Sequence, residues 1–301
     1  MADARTIILH HYDASPFSEK IRLALRLKNL AWAGVDIPSI APKPELTALT
    51  GGYRRTPVLQ IGADIYCDTA VMLPLLDRRF DLSPLALPGH EGIGQMVGAW
   101  ADRVWFPVSV GVIFGAVGDR APNAFVEDRS KLMGGRFDID AMRAAAPMLR
   151  DQWREHLMWI ETRLQGGRGV GSGLFLVGTK PGLVDVQAHM NVWFMDQQLP
   201  EFLEQCFEDA PLTQAWYRRL NGAEGPEPET ISAETAIAIA KKAGPRLVSA
   251  VAGHEPQGLE VGEKIAVAPD DYGKNDWVEG DLVHADARRV VLRRVDERAE
   301  T

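Results

Sequence analysis

A short aliphatic run, Thr6-Ile7-Ile8-Leu9, soon gives way to Ser15-Pro16 and then to an apolar-periodic helix. No other stretch constrains the fold as strongly. The β-branched run suits a central strand covered on both faces. Ser15 suits a helix N-cap, and Pro16 a first helical position, where no amide hydrogen is needed. Phe17, Ile21, Ala24 and Leu25 fall on one helical face, widened by Leu23 and Leu27, so this helix packs against a sheet. "WAGVDI" reads as the next strand and completes a β-α-β start.

The following residues, "PSIAPKPELTALTGGYRR", are proline-rich, briefly helical, and broken at Gly51-Gly52. "PVLQI" and "DIYC" flank Gly62-Ala63, a two-residue hairpin with glycine first, as a type II′ turn prefers. Asp68-Thr69 then opens the helix "AVMLPLLDRRF". After a linker, "DLSPLALPGH", the pattern is helical: 91–118, then 141–164 with Leu149, Trp153, Leu157, Ile160 and Leu164 on one face. A loop, "GGRGVGSG", precedes the helix entered from "LFLVGTKPGLVDVQAHM", and "PLTQAWYRRL" closes the all-α set. "NGAEGPEPET" marks a second boundary. Beyond it Ser232 caps "AETAIAIAKKA", and "KIAVA", "LVHA" and "RVVLRR" read as a small β-meander. The reading is an α/β unit at 1–82, an all-helical unit at 90–222, and a short helix plus meander at 223–301. That last segment is expected to dock on the helical unit or on a partner subunit, because so short a meander is marginal alone.

Charge narrows the partners. A net charge of −8 over 301 residues argues against a nucleic-acid or anionic-membrane surface. The apolar stretch 108–117 reads as too short to span a membrane. Two distant cysteines, Cys67 and Cys206, and no secretory leader pattern at the start point to a reducing cytoplasm.

Three motifs in this order, "SPFSEKIRLAL", "TPVLQI" and "CDTAVMLPLL", resemble the cytosolic glutathione transferase superfamily, serine/cysteine type, over residues 5–222. "FLVGTKPGLVDVQAH" resembles a fourth family stretch, with Asp185 in place and Gly182 where a Ser or Thr N-cap is usual. The resemblance implies a thioredoxin-like first domain, an all-α second domain, and a homodimer joining the first domain of one chain to the second of the other. It implies glutathione as co-substrate and no metal. Ser15 would occupy the position of the thiol-activating side chain. A hydroxyl donating to sulfur at a helix N-terminus favours the thiolate, and a serine cannot close a disulfide on it. Pro57 would be cis, and Val58 would pair strand-like with the cysteinyl part of glutathione. Asp68 and Thr69, at a helix start, would hold the γ-glutamyl group.

Plainer readings of the same residues stand beside these. Ser15 also suits an ordinary cap, as does Asp68. His11, Trp100 and Trp105 (with Phe106) are candidates for a second-substrate pocket, although core packing explains the tryptophans equally. Arg54-Arg55 would reach the glycyl carboxylate or simply be solvated. His10 and His11 are adjacent in a strand, point to opposite faces and do not share a metal. "DDYG" at 270–273 lacks the EF-hand spacing and reads as a turn. The function expected is transfer of glutathione to an apolar small-molecule electrophile. Alternatives are a non-catalytic binding or assembly module and a glutathione-dependent lyase or isomerase.

Overall fold

The computed structural model describes residues 3–80, 83–87, 89–166, 173–246, 257–273 and 276–299. Parts of the expected linker (81, 82 and 88), of the glycine-rich loop (167–172) and of the 269–276 turn (274 and 275) lie outside the described residues.

The first unit runs β1 (Ile7–His11), α1 (Pro16–Leu27), β2 (Trp32–Asp36), α2 (Pro44–Thr50), β3 (Val58–Ile61), β4 (Asp64–Cys67) and α3 (Thr69–Arg79). This is the order read from the sequence. β1 pairs parallel with β2 and antiparallel with β3, and β4 returns on β3 through Gly62 at φ +63. Period-two alternation divides β1 between two layers. Ile7 and Leu9 pack with Ile21 and Leu25 of α1 and with Met72 and Leu76 of α3. Ile8 faces the other way, onto Ala33, Val35 and Leu46. The chain thus builds a thioredoxin-like sheet buried on both faces.

The helical unit holds α4 (Glu91–Trp100), a π-helical turn (Ala101–Trp105), α5 (Phe106–Val117), α6 (Asn123–Met133), α7 (Ile139–Gly166), α8 (Leu183–Gln198), α9 (Pro200–Glu208) and α10 (Pro211–Asn221). α8 is buried around nearly its whole circumference from Leu183 to Met195 and packs on both α1 and α4, which joins the two units. Its entry is held by Asp185. That carboxylate accepts from Gly182 N (2.9 Å), Leu176 N (2.9 Å) and Trp216 Nε1 (2.8 Å). Gly182 is required there by a close approach, since a Cβ would lie 2.8 Å from the Leu85 carbonyl. The helix through 92–120, of which 108–117 is a part, is by length and composition long and apolar enough to cross a membrane. Here its Trp105, Val112 and Ile113 are buried in the bundle core.

The C-terminal segment departs from expectation. β5 (Glu229–Thr230) adds parallel to β2, so the sheet order is β4-β3-β1-β2-β5. α11 (Ala233–Lys242) then lies against α2 and β2, burying Ala236, Ile239 and Ala240. Gln60 Nε2 donates to the Ala236 carbonyl at 2.9 Å, Arg298 Nη2 donates to the Pro44 carbonyl at 2.8 Å, and Ala299 packs with Leu49 and Ala240. β6 (Lys264–Val267), β7 (Val278–Ala285) and β8 (Val290–Arg293) form the expected antiparallel meander. The segment therefore docks mainly on the first unit rather than on the helical unit of the same chain. The reason is geometric: α2 has only seven residues and leaves part of its sheet face, and the β2 edge, for another element to cover.

Candidate functional site

Three backbone features converge on one end of the first sheet: the start of α1, the residue before β3, and the start of α3. Ser15 caps α1, and its Oγ accepts the Ser18 amide at 3.1 Å. That bond uses a lone pair and leaves the hydroxyl hydrogen to donate. Ser15 is only 2% exposed.

The Thr56–Pro57 bond is cis, as the resemblance implies. Val58, however, is fully buried and has a register partner on each side, His10 in β1 and Cys67 in β4. In an antiparallel ladder a residue's N–H and C=O point the same way, so both Val58 groups are used within the sheet. This corrects the expectation that Val58 pairs with a peptide ligand. Thr56, one residue before the proline, lies outside the strand. Its Oγ1 accepts from Lys43 Nζ at 2.9 Å, and the same ammonium donates to the Arg54 carbonyl at 3.2 Å. Burial pulls the Lys43 pKa down to about 8, with Arg129 pushing the same way and Asp128 opposing. Lys43, Tyr53, Arg54 and Arg298 line a cavity of about 360 Å³.

At the start of α3, Asp68 adopts φ 75, ψ 130, an unusual conformation for a residue with a side chain. Its carboxylate accepts from Ala70 N at 2.9 Å. Asp68 is exposed, whereas Thr69 is 5% exposed. Backbone strain of this kind costs on the order of 1–3 kcal/mol and collects at functional sites.

The other sequence candidates separate. Arg54 pairs with Asp128, and Arg55 pairs with Asp271 and lies 4.2 Å over the Tyr272 ring. Both guanidinium groups are thus engaged within the protein, while the Lys43 ammonium is bonded to Thr56 itself. His10 is buried against Gln60 Oε1 (2.9 Å), while His11 faces Arg22 Nη1 (3.2 Å) and the Trp32 ring. Burial, aided by Arg22, lowers the His11 pKa. Trp105 is fully buried between Trp100 and Trp153, which corrects its assignment to an open pocket. Trp100 stacks on it and donates Nε1 to His156 Nδ1 at 3.2 Å, facing α7. Phe106 instead meets Phe17, two residues beyond Ser15, at a centroid distance of 4.8 Å. Of the aromatic candidates in this helix it is the one beside the α1 start.

Sequence reasoning missed an ion pair and its cause. Lys20, fully buried, pairs with Asp102 in the π turn, and burial raises the Asp102 pKa against that pairing. Pro107 lacks the amide that would bond the Arg103 carbonyl, and Phe106 N reaches back five residues to the Ala101 carbonyl. The extra residue turns Asp102 inward to Lys20 and leaves Arg103 facing out, bonded to Asp270 Oδ1 at 2.8 Å. A proline inside an apolar helical run was the available signal.

Residues 9–84 match the family described as glutathione S-transferase, N-terminal domain. A GST-like protein from Pseudomonas syringae is 34% identical, covering 98% of this chain and 94% of that one, with a TM-score of 0.78. A glutathione S-transferase from Rhodospirillum rubrum F11 is 19% identical over 72% of this chain and 88% of that one (TM-score 0.54). A glutathione transferase from Phanerochaete chrysosporium is 14% identical over 74% and 99% (TM-score 0.60). These last two share the fold. No curated protein sequence matches the chain.

Proposed function

Because the chain belongs to the glutathione S-transferase superfamily, we propose that it binds glutathione and activates the thiol for attack on an electrophilic small molecule with an apolar body. The observation that carries this reading is the Ser15 hydroxyl, which caps α1 through a lone pair and keeps its hydrogen for the sulfur. A thiol has a pKa of about 8.5 when free, and a donor at a helix N-terminus lowers it. The thiol proton leaves to solvent, the thiolate forms a bond to the electrophilic carbon, and the leaving group departs with its electron pair. Positioning of the two reactants supplies much of the remaining acceleration.

In this reading the backbone of Thr56 pairs with the cysteinyl portion, and Asp68 with Thr69 receives the γ-glutamyl end at the α3 start. Lys43 takes the glycyl carboxylate, in place of Arg54 or Arg55. Phe17 and Phe106 offer the apolar surface for the second substrate. The setting is a reducing cytoplasm, consistent with two free cysteines. The assembly is a homodimer, and a monomeric mass in micromolar solution scattering would count against it.

The near-complete burial of Ser15 favours a second reading, a non-catalytic binding module of the same fold. Calorimetric titration with glutathione, followed by ultraviolet titration of the bound thiolate, decides between them. Binding with a lowered thiol pKa supports the enzyme. Binding with an unshifted thiol and no turnover over a panel of electrophiles supports the module. No binding at millimolar glutathione overturns both.

A further inference from the structure

The C-terminal segment sends one turn, Asp270–Gly273, across to the helical unit. Asp271 pairs with Arg55, beside the β3 entry, while the preceding residue, Asp270, pairs with Arg103 in the π turn. Tyr272 lies under the Arg55 guanidinium at 4.2 Å, and Gly273, at φ +82, lets that guanidinium come within 3.1 Å of where a Cβ would stand. Two consecutive carboxylates thus tie the two walls of the site together. The same turn lies within electrostatic reach of the α3 start: the charges of Asp102 and Asp68 both act on the Tyr272 hydroxyl. Ser15 and Thr69 meanwhile are almost fully buried. A peptide ligand reaches them only after something moves.

The two ties differ in kind. Arg55 and Asp271 have side chains 11% and 31% exposed, and Tyr272 packs against the same guanidinium. Arg103 and Asp270 are 57% and 77% exposed, and an exposed pair of this sort holds weakly and is screened by salt. The turn is therefore anchored on the first unit and latched on the second.

We propose that the Asp270–Gly273 turn is a strap that closes the mouth of the site, swinging on the Arg55 anchor when the Arg103–Asp270 latch opens, and so controls entry of the thiol peptide and the size of its electrophile. This rests on the reading of the site as a glutathione site. The strap makes entry dependent on ionic strength, because the exposed Arg103–Asp270 latch is screened by salt.

The test uses the full-length protein and Arg103→Gln, with Asp270→Asn as a second variant of the same latch. Hydrogen exchange of residues 265–273 and the stopped-flow association rate of glutathione are read at about 0.01 M and about 1 M salt, where the screening length falls from about 30 Å to about 3 Å. Faster exchange and several-fold faster association in the variants at low salt, matched by wild type at high salt, is the expected result. A larger gain in kcat/KM for a bulky electrophile than for a small one should accompany it. Unchanged exchange and association in both variants overturns the strap. Exchange that responds while no form binds glutathione keeps the strap and removes the glutathione reading.

Discussion

Replacing Ser15 by alanine separates two roles that one hydroxyl performs. The structural role is the cap. Removing Oγ leaves the Ser18 amide without its 3.1 Å acceptor, beside a Ser18 hydroxyl that is itself buried and without a partner among the described residues. The expected loss is about 1 kcal/mol, rising toward about 2 kcal/mol because the site is buried. The chemical role is the bond to sulfur. A hydrogen bond to a charged group contributes about 1.5–3 kcal/mol, which at about 1.4 kcal/mol per pKa unit raises the bound thiol pKa by roughly one to two units. At neutral pH the thiolate fraction then falls about ten- to a hundredfold. A more basic thiolate is also more nucleophilic, with a Brønsted slope of about 0.4–0.5, so part of the loss returns. The net decrease in kcat/KM is roughly three- to tenfold, with glutathione affinity little changed because Thr56, Asp68, Thr69 and Lys43 carry binding. Thiolate absorbance against pH, the pH profile of kcat/KM and urea unfolding measure the terms separately. If Ser15→Ala loses about 1 kcal/mol of stability while thiol pKa and rate stay at wild type, Ser15 is a cap and nothing more.

Four other perturbations test burial and docking. Asp185→Ala strands three buried donors and should lower stability by about 3 kcal/mol, less than three full charged bonds because burial already pushes the Asp185 pKa up to about 6. Gly182→Ser, which restores the usual cap, should nonetheless destabilise by about 1–3 kcal/mol, because its Cβ meets the Leu85 carbonyl; a gain in melting temperature would refute that packing. His10 and His189 are buried, and burial draws both pKa values down to about 4. The unfolded chain takes up protons near pH 6.5 that the folded one refuses, so stability is full above that pH and falls as pH drops toward 4. His189→Phe removes a ring whose two nitrogens have no partner among the described residues and should make this acid limb shallower, His10 remaining, without lowering the melting temperature at pH 7; an unaltered limb counts against it. Deleting 223–301 should expose Ile8, Ala33 and Val35 and cause aggregation, and a soluble product with unchanged melting would show the docking to be dispensable.

The elements through α3 were legible because each carries a local signal: a cap at Ser15, a glycine-first turn at Gly62, and Asp68 before an apolar-periodic helix. The bundle was legible from apolar spacing. What escaped reading depends on neighbours distant in sequence. β5 is only Glu229–Thr230, a pair of residues with no strand pattern, and it is a strand because the β2 edge lies beside it. α11 was recognised as a helix, but its face of alanine and isoleucine does not say which sheet it covers. The expectation at Val58 failed because spacing alone does not reveal that this residue is flanked by a strand on both sides. The strap joins Arg55 to Asp271 and Arg103 to Asp270 across more than half the chain, beyond the reach of any local pattern.

The fifth strand also bears on how the protein is made. Chains emerge from the ribosome at about 5–20 residues per second, so the first sheet waits roughly ten to thirty seconds after α3 appears before Thr230 can pair with Gly34. During that interval β2 presents a bare edge, a template for pairing with any other nascent strand, and the face beneath α11 stays wetted. Ala299, which seats on Leu49, emerges later still. The α/β unit is thus made before the helical unit and sealed after it.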